Sequence, residues 1–180
     1  MIENLKIKIF ADGADLESIK DLNTLNYIKG FTTNPSLMKK AGIKDYKGFA
    51  IKLLSEIKNK PISFEVFSDD IIEMEKQAEE IASWGKNVNV KIPITNTKNV
   101  PTTELIRKLS SKGITCNVTA IFTTKQIEDV VQALDKTTPA ILSVFAGRIA
   151  DTGIDPDKIM KDSINFAKSK PKSEILWAST

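Results

Sequence analysis

A chain of 180 residues with 41% apolar and 27% charged content can bury a core of ordinary size, and its net charge of +3, scattered without a basic cluster, gives nucleic acid no footing. The absence of His removes imidazole chemistry, and the lone Cys116 removes an internal disulfide and a thiolate zinc cluster. No apolar run approaches the ~20 residues of a membrane helix, and Met1-Ile2-Glu3-Asn4 has no basic head or long apolar stretch, so a cytoplasmic protein without membrane partners is expected.

Strand-like and helix-like segments alternate along the chain. Residues 6–12 read as a strand, followed by a helix near 15–27, a strand over 30–34 and a long helix over 36–58. A strand over 62–68 then leads to a helix over 70–84. There Glu73, Glu75, Lys76, Glu79 and Glu80 mark the wet side, and Ile72, Ala78 and Ile81 are expected toward the sheet. The strand 87–94 is followed by a helix over 102–112, begun by Thr102-Thr103-Glu104 after Pro101. A strand over 114–121, a helix over 124–134 and a strand over 140–147 come next. A helix over 155–169, entered at Asp155 before Pro156, and a strand over 174–180 end the chain. Gly30 and Gly113 precede strands, where a helix needs a stop.

Such alternation predicts a parallel sheet covered by helices. Strand starts about every 24–34 residues suit a (β/α)8 TIM barrel. An open doubly wound sheet is the alternative, but it usually carries a Gly-rich phosphate loop, and no GxGxxG or GxxxxGK occurs here. No linker or low-complexity tract interrupts residues 1–180, so one domain is expected.

Within 87–94, Val88, Val90, Ile92 and Ile94 share one parity, and Asn89, Lys91, Pro93 and Thr95 the other. If the apolar set meets the helices, Lys91 points into whatever the sheet encloses. An amine on a rigid strand, kept from bulk water, can form a Schiff base with a carbonyl substrate. The chain has 24 Lys, so this reading needs support from elsewhere. The other strands supply it, because each carries a polar residue near its C-terminal end. These are Asp12, Asn34, Glu65, Asn117 with Thr119, Ser143 running on to Arg148, and Ser179. In a barrel they converge at the C-terminal face, where barrel active sites lie. Buried polar groups cost several kcal/mol unless paired, which disfavours a packing explanation for so many. Taken singly, Asp12 could still be a turn or cap residue, Asn34 before Pro35 an N-cap, and Arg148 a surface charge. Carboxylates, amides and hydroxyls are the remaining reagents, and neither a metal cluster nor a cofactor site is legible.

Five segments in one order resemble the transaldolase family, especially its short single-domain members. They are Phe31-Thr32-Thr33-Asn34-Pro35-Ser36-Leu37, Val90-Lys91-Ile92-Pro93, Cys116-Asn117-Val118-Thr119-Ala120-Ile121-Phe122, Ser143-Val144-Phe145-Ala146-Gly147-Arg148-Ile149 and Trp177-Ala178-Ser179-Thr180. The resemblance implies a (β/α)8 barrel that moves a three-carbon dihydroxyacetone unit between sugar phosphates, without a cofactor. It implies Lys91 as the Schiff-base lysine and Asp12 as the acid/base. Glu65 and Thr119 would hold a catalytic water. Asn34, Asn117, Ser143 and Phe145 would line the substrate pocket, and Arg148 and Ser179 would bind phosphate. Fructose 6-phosphate aldolases are close relatives that tend to carry glutamine and tyrosine where this chain has Glu65 and Phe145, so transfer is favoured over release.

Relatives continue past the seventh strand, commonly with an arginine soon after Ala-Ser-Thr. A barrel truncated after that strand leaves two unpaired edges. The expectation is therefore a fragment of a longer product. Completion by another chain in a homo-oligomer, or a catalytically incomplete sugar-phosphate binder, are the other readings.

Overall fold

The computed structural model describes residues 5–179. Expectations touching Met1–Asn4 and Thr180 lie outside them. The elements are β1 (Ile9–Asp12), α1 (Leu16–Asn23), β2 (Ile28–Thr32), α2 (Pro35–Lys40), α3 (Tyr46–Glu56), β3 (Ile62–Glu65), α4 (Ile71–Ser83) and β4 (Val88–Pro93). They continue with α5 (Thr103–Ser111), β5 (Cys116–Ile121), α6 (Thr124–Ala133), β6 (Ala140–Val144), α7 (Ala146–Asp151), α8 (Asp157–Ala167) and β7 (Ser173–Trp177).

All seven strands are parallel and lie in chain order, β1 to β7. This is the order of a β/α barrel, not of a doubly wound sheet, where the order reverses. β1 and β7 are edges that do not pair, yet the Lys8 ammonium meets the Glu174 carboxylate across the opening. The sheet is thus curled into a barrel open on one side, as the truncated (β/α)8 reading expected.

Parity separates the two faces. Val88, Val90, Ile92 and Ile94 are buried against the helices, with Phe31, Ile62, Phe64, Val118 and Leu142 from neighbouring strands. Leu53 on α3 and Ile106 and Leu109 on α5 fill the same layer. Truncating Leu53 to alanine is expected to cost about 3 kcal/mol, because a fully buried side chain leaves a cavity that relaxes only in part. Urea unfolding checks this, and a cost below about 1 kcal/mol would show the layer to be loose.

Several local expectations are corrected. The helix over 36–58 is two helices, because Gly42 sits at φ 71° after α2 and Asp45 caps α3 through the Gly48 amide. Gly30 is no helix stop. It lies inside β2, where an added Cβ would sit 2.2 Å from the Phe10 ring. Ile72 faces water at 67% exposure, and Met74 takes the inward place beside Ala78 and Ile81. The strand over 140–147 ends at Val144, and α7 begins at Ala146. α5 does begin at Thr103, as Thr102-Thr103-Glu104 suggests, and the Thr102 hydroxyl donates to the Pro93 carbonyl. Gly113, at φ 79° after α5, is the stop that was expected.

Candidate active site

The inner face of the sheet gathers the polar residues. Register puts Glu65, Lys91 and Asn117 side by side on β3, β4 and β5, with Asp12 and Thr32 paired on β1 and β2. Lys91 is flanked on its own strand by Val90 and Ile92, both fully buried on the helix side, which fixes its direction. Its Nζ lies 3.3 Å from Glu65 Oε2, with side chains 11% and 18% exposed.

Burial pushes the Glu65 carboxyl above the ordinary value of 4.5. Lys91 pulls it back in part, and Asp12 adds a smaller push upward. The folded state therefore keeps this proton to higher pH than the unfolded state does, so ionising Glu65 costs stability. Measured against Glu65→Gln, the parent should lose stability as pH rises from 4.5 through the carboxyl's own higher pKa. Urea titrations at a series of pH values test this. A parent that gains on the variant over that range would show that the Lys91 attraction outweighs burial.

Asn117 is fully buried and its amide is held from both sides, with one donor and one acceptor position left over. Its Nδ2 donates to Ser63 Oγ at 3.0 Å, and its Oδ1 accepts from Ser143 Oγ at 2.8 Å. Beyond it Ala120 adopts φ 57°, where the ladder between β5 and β6 shifts register. This irregularity sits next to Thr119, whose buried Oγ1 has no partner among the described residues. Backbone strain of this kind clusters at functional sites, and a buried hydroxyl without a partner has a hydrogen bond to offer.

Asp12 is exposed, because β1 is an edge, and its Oδ1 accepts from Thr32 Oγ1 at 2.6 Å. Asn34 does cap α2, accepting from the Leu37 amide at 2.9 Å, which leaves its Nδ2 for other use. Phe145 packs edge-on to Phe122 at the mouth, with ring centroids 5.6 Å apart. Gly147 allows the final contact. A Cβ there would stand 2.1 Å from the Ser179 carbonyl oxygen, and its amide donates to Ala178 at 2.9 Å. Arg148 and Ser179 are thereby brought to one rim. Arg148 is 62% exposed, with Asp151 3.8 Å away.

Residues that sequence reasoning passed over complete the arrangement. Thr32 and Ser63 share parity with Asp12 and Glu65 across the strands, but hydroxyl residues are too common for that parity to single them out. Tyr46 on α3 donates to the Glu65 carbonyl at 3.0 Å, which no spacing foretells.

These features define a β/α-barrel protein whose inner face centres a lysine among carboxylates, amides and hydroxyls at the C-terminal ends of its strands. The family model described as transaldolase/fructose-6-phosphate aldolase matches residues 9–180, and the chain belongs to that family. It is 38% identical over 162 residues to a probable transaldolase of Dehalococcoides mccartyi (strain ATCC BAA-2266 / KCTC 15142 / 195), covering 90% of this chain and 71% of the relative. A probable transaldolase of Sulfurihydrogenibium sp. (strain YO3AOP1) is 37% identical over 179 residues, covering 96% of this chain and 76% of the relative. Among solved structures, a dihydrodipicolinate synthase from Rhodopseudomonas palustris aligns with a TM-score of 0.49 at 15% identity. That alignment covers 93% of this chain, which spans 62% of the synthase.

Proposed function

We propose that this chain carries transaldolase chemistry: Schiff-base transfer of a dihydroxyacetone unit from sedoheptulose 7-phosphate or fructose 6-phosphate to glyceraldehyde 3-phosphate or erythrose 4-phosphate. The observation that carries the reading is the Lys91 amine held 3.3 Å from Glu65 on the enclosed face. The neutral amine attacks the ketose carbonyl, and loss of water gives an iminium. The Asp12 carboxylate takes the proton of the hydroxyl on the far carbon of the bond to be broken, the carbon that becomes the aldehyde. That carbon–carbon bond cleaves, its electron pair enters the iminium, and the aldose phosphate leaves an enamine on Lys91. An acceptor aldehyde then adds to the enamine, Asp12 returns its proton to the new alkoxide, and water hydrolyses the iminium.

Glu65 and the unpartnered Thr119 hydroxyl suit a water that relays protons during imine formation and hydrolysis. Asn34 and Asn117 bind the dihydroxyacetone hydroxyls, with Ser143 and Phe145 completing the pocket. Arg148 gives the phosphate charge-assisted hydrogen bonds, and Ser179 adds a hydroxyl. A single domain over 1–180, cytoplasmic and able to assemble with copies of itself, completes the proposal. Carbohydrate metabolism of the pentose phosphate type is the setting.

One observation favours a second reading. Asp12 is exposed, so water can reach the acid/base position beside the enamine. Protonation of the enamine carbon, followed by hydrolysis of the iminium, frees Lys91 and dihydroxyacetone, which is aldolase chemistry. Measuring dihydroxyacetone from fructose 6-phosphate with and without an aldose phosphate separates the two. Transfer requires little release until the acceptor is added, and prompt release without it rejects transfer.

A further inference from the structure

A cavity of about 330 Å³ lies on the inner face of the sheet, one layer toward the strand starts from the candidate site. Its walls come from the starts of the strands: Phe10, Asn89, Thr115 and Ile141, with Lys8, Lys29, Lys172 and Glu174 around them. Phe10 packs against Gly30, where any Cβ would collide with the ring, so a flat aromatic surface forms one wall. The contact between Lys8 and Glu174 closes the side on which β1 and β7 do not pair.

Two features point to a ligand. Asn89 lines the cavity, is only 7% exposed, and its carboxamide has no hydrogen-bond partner among the described residues. Its amide atoms keep contact with the solvent of the cavity, and a ligand hydroxyl or carbonyl would take that place. The second feature is charge. The Lys29 ammonium donates to the Asn26 carbonyl at 2.6 Å, and that of Lys172 to the Thr137 carbonyl at 2.7 Å. A carbonyl satisfies a donor without cancelling its charge. Only Lys8 meets a carboxylate, so the rim keeps a positive excess. Lys60 shows the same crowding, being held below the ordinary lysine range by desolvation and by the charge on Lys29.

We propose that this cavity binds a small aromatic carboxylate. The ring lies along Phe10 and Ile141, the carboxylate sits at Lys29 and Lys172, and a polar ring substituent meets the Asn89 amide. The volume falls at the lower end of ligand pockets and suits a single-ring molecule. The cavity shares no lining residue with the candidate site, and its existence does not depend on the proposed reaction.

The test is a titration of the full isotope-labelled chain with 4-hydroxybenzoate, followed by amide NMR. Expected are saturable shifts at residues 8–10, 89, 115 and 139–141. Affinity should fall at least tenfold in Lys29→Ala/Lys172→Ala, and 4-hydroxybenzyl alcohol, which lacks the charge, should bind at least tenfold more weakly than the acid. Both lysines are exposed, so the double variant should fold, and circular dichroism checks it. Shifts confined to the C-terminal mouth, no saturable shift, or a loss in the double variant below tenfold overturns the site.

Discussion

Replacing Lys91 with methionine should remove the adduct that borohydride traps with fructose 6-phosphate and lower turnover by about 10⁴-fold or more, as loss of a covalent nucleophile does. Methionine keeps the length and apolar stem of the side chain, so packing beside Val90 and Ile92 should survive. What changes is the amine and its charge. Glu65 then loses the one neighbour that draws its proton off, while the burial that raises its pKa remains, so its carboxyl should titrate higher still. Peptide mapping of the trapped parent should place the added mass at residue 91. An adduct of equal yield in the variant, or one mapped to any of the other lysines in a folded sample, would reject the assignment. Most of those lysines stand in water, where an ammonium at neutral pH is a poor nucleophile. Lys91 alone has a register position between Glu65 and Asn117.

That position was legible before any coordinates. Alternation of Val88, Val90, Ile92 and Ile94 gives the face of β4, and the rhythm of strands and helices gives the parallel order. Both follow from backbone periodicity, which tertiary contacts reinforce. The errors have local causes. A single glycine in the left-handed region divides α2 from α3, yet the apolar spacing on either side reads as continuous helix. Ile72 stands on the opposite side of α4 from Ile81, and Met74, Ala78 and Ile81 at i, i+4 and i+7 form the inward stripe, a spacing the sequence itself carries. Gly30 resembled a stop because glycine commonly ends helices, whereas its reason here is the Phe10 ring packed on it. Thr32, Ser63 and Tyr46 were harder still. Their roles are hydrogen bonds to Asp12, Asn117 and the Glu65 carbonyl, and hydroxyl residues are too common for a pattern to single them out.

Asp12→Asn should separate the two halves of the proposed reaction. The amide keeps the carboxylate's shape and can still accept from Thr32 Oγ1, so the backbone of β1 has no reason to move. It cannot take a proton from a hydroxyl. Imine formation uses Lys91 and the region of Glu65 and Thr119, so trapping with fructose 6-phosphate should persist within a few-fold. Cleavage, read as glyceraldehyde 3-phosphate released per trapped site, should fall by roughly 10²–10³-fold, the usual worth of a positioned general acid/base. The exposure of Asp12 sharpens the test. If solvent served as base, the variant would cleave within about tenfold of the parent, and Asp12 would have no catalytic role. If trapping vanished as well, Asp12 would be acting on imine formation, and Glu65 would have to be considered for the cleavage step.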